Sequence, residues 1–270
     1  MSVAVTTFAW WSIPRLLWFT FFVMLMWWTM QVEGGLGWTE DNVFGWHSFL
    51  MALAGPVFMS EAILCFTSPL VDPAFFITDR AGQRRFVERL HIVLHVFTML
   101  AGACGIIGIC FYKSLSKDGS ETNSSLTSYI SDGYVFPFFS MYSPHSWAGV
   151  ATICLWGIQI ILRIVSYYVR SLRIAHLHAY VGKVVYVAVL ATCAMGLQDM
   201  QSSDLGDNDS MGYPPFSSMA LVASGMVVVL LVLGAYILSP WAAPKKEPIK
   251  SGDVALPNGT ELKELQEEPL

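Results

Sequence analysis

The sequence predicts an all-α membrane protein of six transmembrane helices. Its composition comes first: 54% of the 270 residues are hydrophobic and only 13% are charged, about half the charged share of an average soluble domain. Six apolar stretches, at residues 14–31, 44–66, 90–111, 145–168, 179–197 and 216–238, match the roughly 20 residues that a helix needs to cross a hydrocarbon core. The segments between them are too short or too polar to hold a core of their own. The longest, 112–141, joins spans three and four, and the tail 242–270 mixes Lys, Glu, Pro and Gly and reads as disordered. The expected organisation is a membrane domain over 1–241 and a tail over 242–270.

The first span, with no cleavage site of the secretory type, is expected to act as its own uncleaved anchor. Six spans put both termini on one side, together with the loops joining spans two to three and four to five. That side receives Arg15, Arg80, Arg84, Arg85, Arg89, Arg163, Arg170, Arg173, Lys183 and the four lysines of the tail, whereas the other receives only Lys113 and Lys117. Basic residues stay cytoplasmic, so both termini are expected in the cytoplasm. The sequons at Asn123 and Asn208 fall in loops assigned to the outside, while that at Asn258 falls on the cytoplasmic side; the first two agree with this orientation as glycosylation acceptors.

The chemistry rests on histidines. All five cysteines (Cys65, Cys104, Cys110, Cys154, Cys193) lie inside spans and none forms a Cys-x-x-Cys pair, which argues against thiolate zinc sites, iron–sulfur clusters and covalently attached c-type haem. The six histidines all lie near the starts of spans: His47 in span two, His91 and His95 in three, His145 in four, His176 and His178 in five. Consecutive spans run in opposite directions, so these histidines arrive in pairs at two depths. Facing imidazoles inside a helical bundle are what six-coordinate haem iron requires. Gly149 follows His145 by four residues and Gly182 follows His178 by four. That spacing keeps each glycine on its histidine's helix face, where the missing Cβ lets a flat macrocycle approach the backbone. Close helix packing is the alternative use of such glycines.

The segment Tyr142-Ser143-Pro144-His145-Ser146-Trp147-Ala148-Gly149 resembles the Tyr-Ser-x-His-Ser-Trp-x-Gly signature of the cytochrome b-561 family. Arg89-Leu90-His91-Ile92-Val93-Leu94-His95, His178-Ala179-Tyr180-Val181-Gly182 and Ser60-Glu61-Ala62 resemble its third-span entrance, its fifth-span His-x-x-x-Gly and its second-span Gly-Glu-Ala. The resemblance implies six helices, often dimeric, in which a central four-helix bundle (spans two to five) holds two b-type haems. It implies electron transfer from cytoplasmic ascorbate to monodehydroascorbate or ferric iron on the other side, in a plasma, endosomal or other vesicular membrane. Carried over, His47 and His145 bind the outer haem, His91 and His178 bind the cytoplasmic one, and Gly149, Gly182 and His95 pack against haem. His176 is left as an interfacial residue.

An anionic reductant should seek positive charge beside the cytoplasmic pair, and Arg84, Arg85, Arg89, Arg170 and Arg173 supply it; the same arginines also serve topology and anionic lipid. Glu88 stands where the family usually has Lys. On the outer side, Leu197-Gln198-Asp199-Met200 lacks the basic residue usual in the family, and the next loop holds Asp204, Asp207 and Asp209. Carboxylates favour a hard cation such as Fe³⁺ over an organic anion, and Tyr142 is the candidate lining residue for the acceptor. Two further readings stay open. A histidine-based metal-ion or proton transporter would want ionisable groups near the midplane, and a scaffold would need no histidine register. Nothing in the composition points to nucleic acid.

Overall fold

The computed structural model describes residues 2–39, 42–67, 74, 76–118, 143–169, 172–203 and 218–239. Among these, seven α-helices carry the chain: α1 (Ser2–Gln31), α2 (Phe44–Ala52), α3 (Ser60–Leu64), α4 (Arg80–Asp118), α5 (Pro144–Val169), α6 (Leu172–Ser203) and α7 (Ser218–Leu238). A π-helical turn, Leu53–Met59, runs directly from α2 into α3, so these three pieces form one span. Six rods are long and apolar enough to cross a membrane: Ser12–Gln31, Phe44–Leu64, Arg80–Lys113, Pro144–Val169, Arg173–Met200 and Ala220–Leu238. The expected six-span, all-helical class is the observed one.

The helices overrun their apolar stretches at the end of the bundle that holds the first residue of α1 and the last of α7. There α4 begins at Arg80 and α6 at Leu172, well ahead of the apolar stretches that start at 90 and 179. The bilayer limits only the apolar length of a helix, and charged turns extend it where local bonds support them. Asp79 caps α4, its Oδ2 accepting from the Gly82 N–H at 2.6 Å, which satisfies one of the otherwise open first-turn donors. Arg84 and Glu88 pair across one turn at 3.0 Å. At the opposite end α1 stops where Gly34 and Gly35 take φ values of 73° and 92°, a conformation that favours glycine. The Gly35 N–H bonds the Thr29 carbonyl at 2.9 Å.

Span two packs along α4, α5 along α6, and α7 closes against α1 and α6. The densest apolar core lies on the α1–α6–α7 side, where Phe21, Leu25 and Trp28 meet Tyr186, Leu190, Met226, Leu230 and Leu233. Outward rows such as Ile92, Val96 and Leu100 on α4 and Ile153, Ile161 and Ile164 on α5 are exposed in the protein alone, as surfaces that meet hydrocarbon should be.

One charged contact ties α1 to span two. Arg15 Nη2 lies 2.9 Å from Glu61 Oε2, and the Trp18 indole N–H donates to Glu61 Oε1 at 3.0 Å. Both charged side chains are mostly shielded, at 17% and 12% exposure. Removing one partner of such a pair costs about 3–5 kcal/mol, whereas replacing both with apolar groups of similar volume is often neutral. Glu61→Leu is therefore expected to lower the thermal midpoint clearly, and Glu61→Leu with Arg15→Met to recover most of it. Thermal unfolding in detergent reads both; an unchanged midpoint in the single variant would mean that the pair clamps nothing.

Candidate metal centres

The helix directions bring the histidines together as two pairs. His47 of α2 and His145 of α5 face each other with ring centres 6.2 Å apart and planes at 82°. At the end nearer the termini, His91 of α4 and His178 of α6 do the same at 6.4 Å and 80°. Imidazoles bound to one metal from opposite sides, through bonds of about 2.0 Å and with about 1.2 Å from nitrogen to ring centre, have centres about 6.4 Å apart.

The ring nitrogens decide how these side chains can act. His47 Nδ1 lies 2.9 Å from the Gly105 carbonyl, His91 Nδ1 2.7 Å from that of Ala62, His145 Nδ1 2.9 Å from that of Thr192 and His178 Nδ1 3.3 Å from that of Gln159. A carbonyl can only accept, so in a neutral ring the proton sits on Nδ1 and Nε2 keeps its lone pair. Metal-bound histidines almost always show this arrangement, which fixes the tautomer and raises ligand basicity. The bonds are reciprocal. Span two and α4 each orient a histidine of the other, and so do α5 and α6.

Helix length sets the separation of the pairs. From His145 to Gln159, from His91 to Gly105 and from His178 to Thr192 the chain advances 14 residues each time, or about 21 Å at 1.5 Å per residue. Among the described residues no group of three or more His, Cys, Asp or Glu side chains is arranged to hold an ion. Two opposed imidazoles instead suit a metal whose other four positions are filled by a planar ligand, which is the chemistry of a haem with two axial histidines. Donor set, tautomer and spacing all fit that group at both places.

Of the other expected contacts, His95 has its ring 4.5 Å from that of His91 and 6.5 Å from Trp156, with no hydrogen bond to its buried Nδ1. His176 is exposed. The two glycines face the seam between α5 and α6: a Cβ on Gly149 would lie 3.8 Å from Thr192 Cγ2, and one on Gly182 would lie 2.6 Å from Gln159 Nε2. Arg84, Arg85, Arg89 and Arg173 are exposed near the His91–His178 end. Arg84 is engaged by Glu88, and Arg85 lies 3.6 Å from Asp79. Arg170, Tyr142, Asp204, Asp207 and Asp209 lie outside the described residues, as do the sequons and the tail.

Several contributors escape a reading of the sequence. Gly105, Ala62, Thr192 and Gln159 act through backbone carbonyls, which carry no side-chain signal. Gln159 also donates from Nε2 to the His178 carbonyl. Gly196 has the clearest steric role, since a Cβ there would lie 2.9 Å from His145 Cε1. Arg163, one turn beyond Gln159 on α5, is the one cation of that helix and lies within electrostatic reach of both His91 and His178. In the sequence it stands only as one of the basic residues that set orientation.

Comparison with known proteins agrees with this geometry. The model of the family described as eukaryotic cytochrome b561 matches residues 46–203, which contain all four paired histidines. The chain is 25% identical over 227 residues to the Arabidopsis thaliana protein named transmembrane ascorbate ferrireductase 1, covering 80% of each chain. It is 24% identical over 230 residues to the Zea mays ascorbate-specific transmembrane electron transporter 1, covering 82% of this chain and 83% of that one. It is also 24% identical over 233 residues to a human lysosomal membrane ascorbate-dependent ferrireductase, covering 82% and 84%.

The contact at Gly196 yields a prediction. Overpacking a closed site costs about 1–3 kcal/mol, so Gly196→Val should lower the thermal midpoint and push the His145 ring from the Thr192 carbonyl, while Gly157→Ala, with open space around it, should change neither. Thermal unfolding together with ¹⁵N-histidine NMR reads both effects; a Gly196→Val protein matching the parent in both would show that the ring is not held there.

Proposed function

The chain belongs to the eukaryotic cytochrome b561 family, and from that premise we propose that it is a transmembrane oxidoreductase carrying electrons from ascorbate on the cytoplasmic side to an acceptor on the other. The observation that carries the reading is the set of four imidazoles, each held by a carbonyl at Nδ1 and opposed in two pairs. Two b-type haems, held by His47 with His145 and by His91 with His178, would supply one reversible Fe³⁺/Fe²⁺ couple near each face.

The protein's own groups do the rest. Each Nδ1–H···O=C bond keeps Nε2 deprotonated and aimed, so that no proton has to leave the ring on ligation. His95 would line the macrocycle beside His91, while Gly149 and Gly182 let α5 and α6 approach each other. The spans exclude water between the two sites, which prevents leakage to solvent. With the termini cytoplasmic, as the distribution of Lys and Arg supports, the exposed Arg84, Arg89 and Arg173, which precede His91 and His178 on their helices, would draw the ascorbate anion, with Arg163 on α5 adding to the positive charge. Glu88 offsets Arg84 rather than opposing the whole cluster. A potential negative inside adds about 2.3 kcal/mol per 100 mV to outward movement of one electron. On the far side ferric iron is the favoured acceptor, because Asp204, Asp207 and Asp209 offer hard oxygen donors, with Tyr142 beside the outer ligand. The names of the Arabidopsis and human relatives, both ferrireductases, support that preference. A transporter finds less support: Glu61, the intramembrane carboxylate, is engaged by Arg15 and Trp18.

The test is the visible spectrum of the purified protein before and after ascorbate. Low-spin b-type bands at two haems per chain, reduced by ascorbate, are expected, and His145→Leu or His178→Leu should each remove one haem. A colourless protein from haem-replete cells would overturn the reading. In proteoliposomes loaded with ascorbate, Arg89→Gln with Arg173→Gln should raise the ascorbate KM for Fe³⁺ reduction several-fold at unchanged haem content, and an unchanged KM would remove the arginines from the donor site.

A further inference from the structure

Span two differs from its three partners by one residue. On α4, α5 and α6 the ligand histidine and the residue whose carbonyl serves the other site are 14 positions apart, but from His47 to Ala62 there are 15. In an unbroken α-helix that additional residue would rotate Ala62 by about 100° relative to its partners' geometry and advance it by about 1.5 Å. A carbonyl turned that far no longer meets the ring it serves. Yet both ends of span two are in place: His47 Nδ1 meets the Gly105 carbonyl at 2.9 Å and the Ala62 carbonyl meets His91 Nδ1 at 2.7 Å.

The π turn Leu53–Met59 lies wholly inside this interval. A π-bulge takes one residue into an α-helix through i→i+5 bonding and leaves the flanking turns in register. Pro56 sits within it and, having no N–H and a ring that clashes with the carbonyl four residues back, opposes a regular helix there. Its own carbonyl accepts from Ser60 Oγ at 2.5 Å. With that hydroxyl proton committed, Tyr186 of α6 is the donor in its 2.5 Å contact with Ser60 Oγ. Ser60 and Tyr186 are both fully buried. The turn is thus held both from within and from the neighbouring helix.

We propose that the π turn of span two is a register device: it absorbs the one surplus residue, so that His47 and the Ala62 carbonyl serve the two metal centres at once, with Ser60 and Tyr186 as positioning residues. The proposal rests on the two-haem reading for its effect on the cofactor, but the register itself is a property of the chain alone.

Two opposite changes test it in the full-length protein. Deleting Pro56 leaves 14 residues and lets the turn relax to α-helix, so haem per chain, both midpoint potentials and the thermal midpoint should match the parent. Inserting one alanine after Pro56 exceeds what one bulge absorbs. It should weaken haem binding at the His91–His178 site about 10- to 100-fold, the usual effect of losing a ligand's outer partner, and lower the thermal midpoint. Ser60→Ala should raise the potential of the His91–His178 haem alone, since a looser Nδ1–H bond makes His91 a poorer donor to ferric iron. A deletion as damaging as the insertion would overturn the proposal, as would a Ser60→Ala protein in which neither potential moves or both move equally. A parent protein without haem would instead overturn the two-haem reading, and the thermal comparison would still decide the register.

Discussion

Everything at the two centres depends on a hydrogen bond that an ordinary helix already has room for. A helical carbonyl accepts once from the N–H four residues on and keeps a second lone pair. Here that lone pair accepts an imidazole N–H from the neighbouring helix at Gly105, Thr192 and Gln159, and the Ala62 carbonyl, in the last turn of its helix, accepts from His91 Nδ1 and from the Cys65 thiol. In a medium without water this matters twice. A buried ring nitrogen without a partner carries a desolvation cost of about 1–3 kcal/mol, and a ring held at one nitrogen has little rotational freedom left at the other. The bundle therefore obtains four aimed Nε2 atoms from backbone carbonyls, without using a charged side chain to hold any of the four rings.

Reciprocity gives the arrangement its rigidity. Because span two and α4 orient each other's histidines, neither can slide or rotate without disturbing both centres, and the same holds for α5 and α6. The common spacing of about 21 Å follows from this cross-bonding. The remaining helices support the frame from outside: α1 is held to span two through Arg15 and Glu61, and α7 fills the apolar core against α1 and α6. Apart from Lys183, which lies between the two levels on α6, charge gathers at the ends, with arginines at one end and, in sequence, aspartates after the other, so that a reductant anion and a metal-ion acceptor would meet different surfaces.

The spans and the pairing of the four histidines were legible in the sequence because each is written in side chains. Apolar runs of membrane length have few uses besides crossing a bilayer, and His47, His91, His145 and His178 fall at alternating ends, as antiparallel helices demand. The extents of α4 and α6 were not legible, because hydropathy marks where the bilayer ends and says nothing about a charged helix that continues past it. Nor were the carbonyl partners: Ala62 and Thr192 look like packing residues, and their role exists only once two helices lie side by side. The glycines at 149 and 182 read in sequence as places for a macrocycle to approach, whereas the neighbours found there are Thr192 and Gln159 of the adjoining helix, the helix-packing alternative. The π turn left one trace, Pro56 inside an apolar run, and its meaning depends on a residue count that only the structure's pairings define.

The near-perpendicular planes within each pair, 82° and 80°, carry a consequence that belongs to this geometry and to few others. Axial imidazoles at right angles leave two iron dπ orbitals close in energy, whereas parallel rings separate them. The most direct measurement is low-temperature EPR of the oxidised, haem-loaded protein. Crossed imidazole planes predict two low-spin ferric signals, both strongly anisotropic with a large gmax, one from each pair. Two well-resolved rhombic signals of the parallel type, or a high-spin signal from an iron lacking one histidine, would contradict that arrangement.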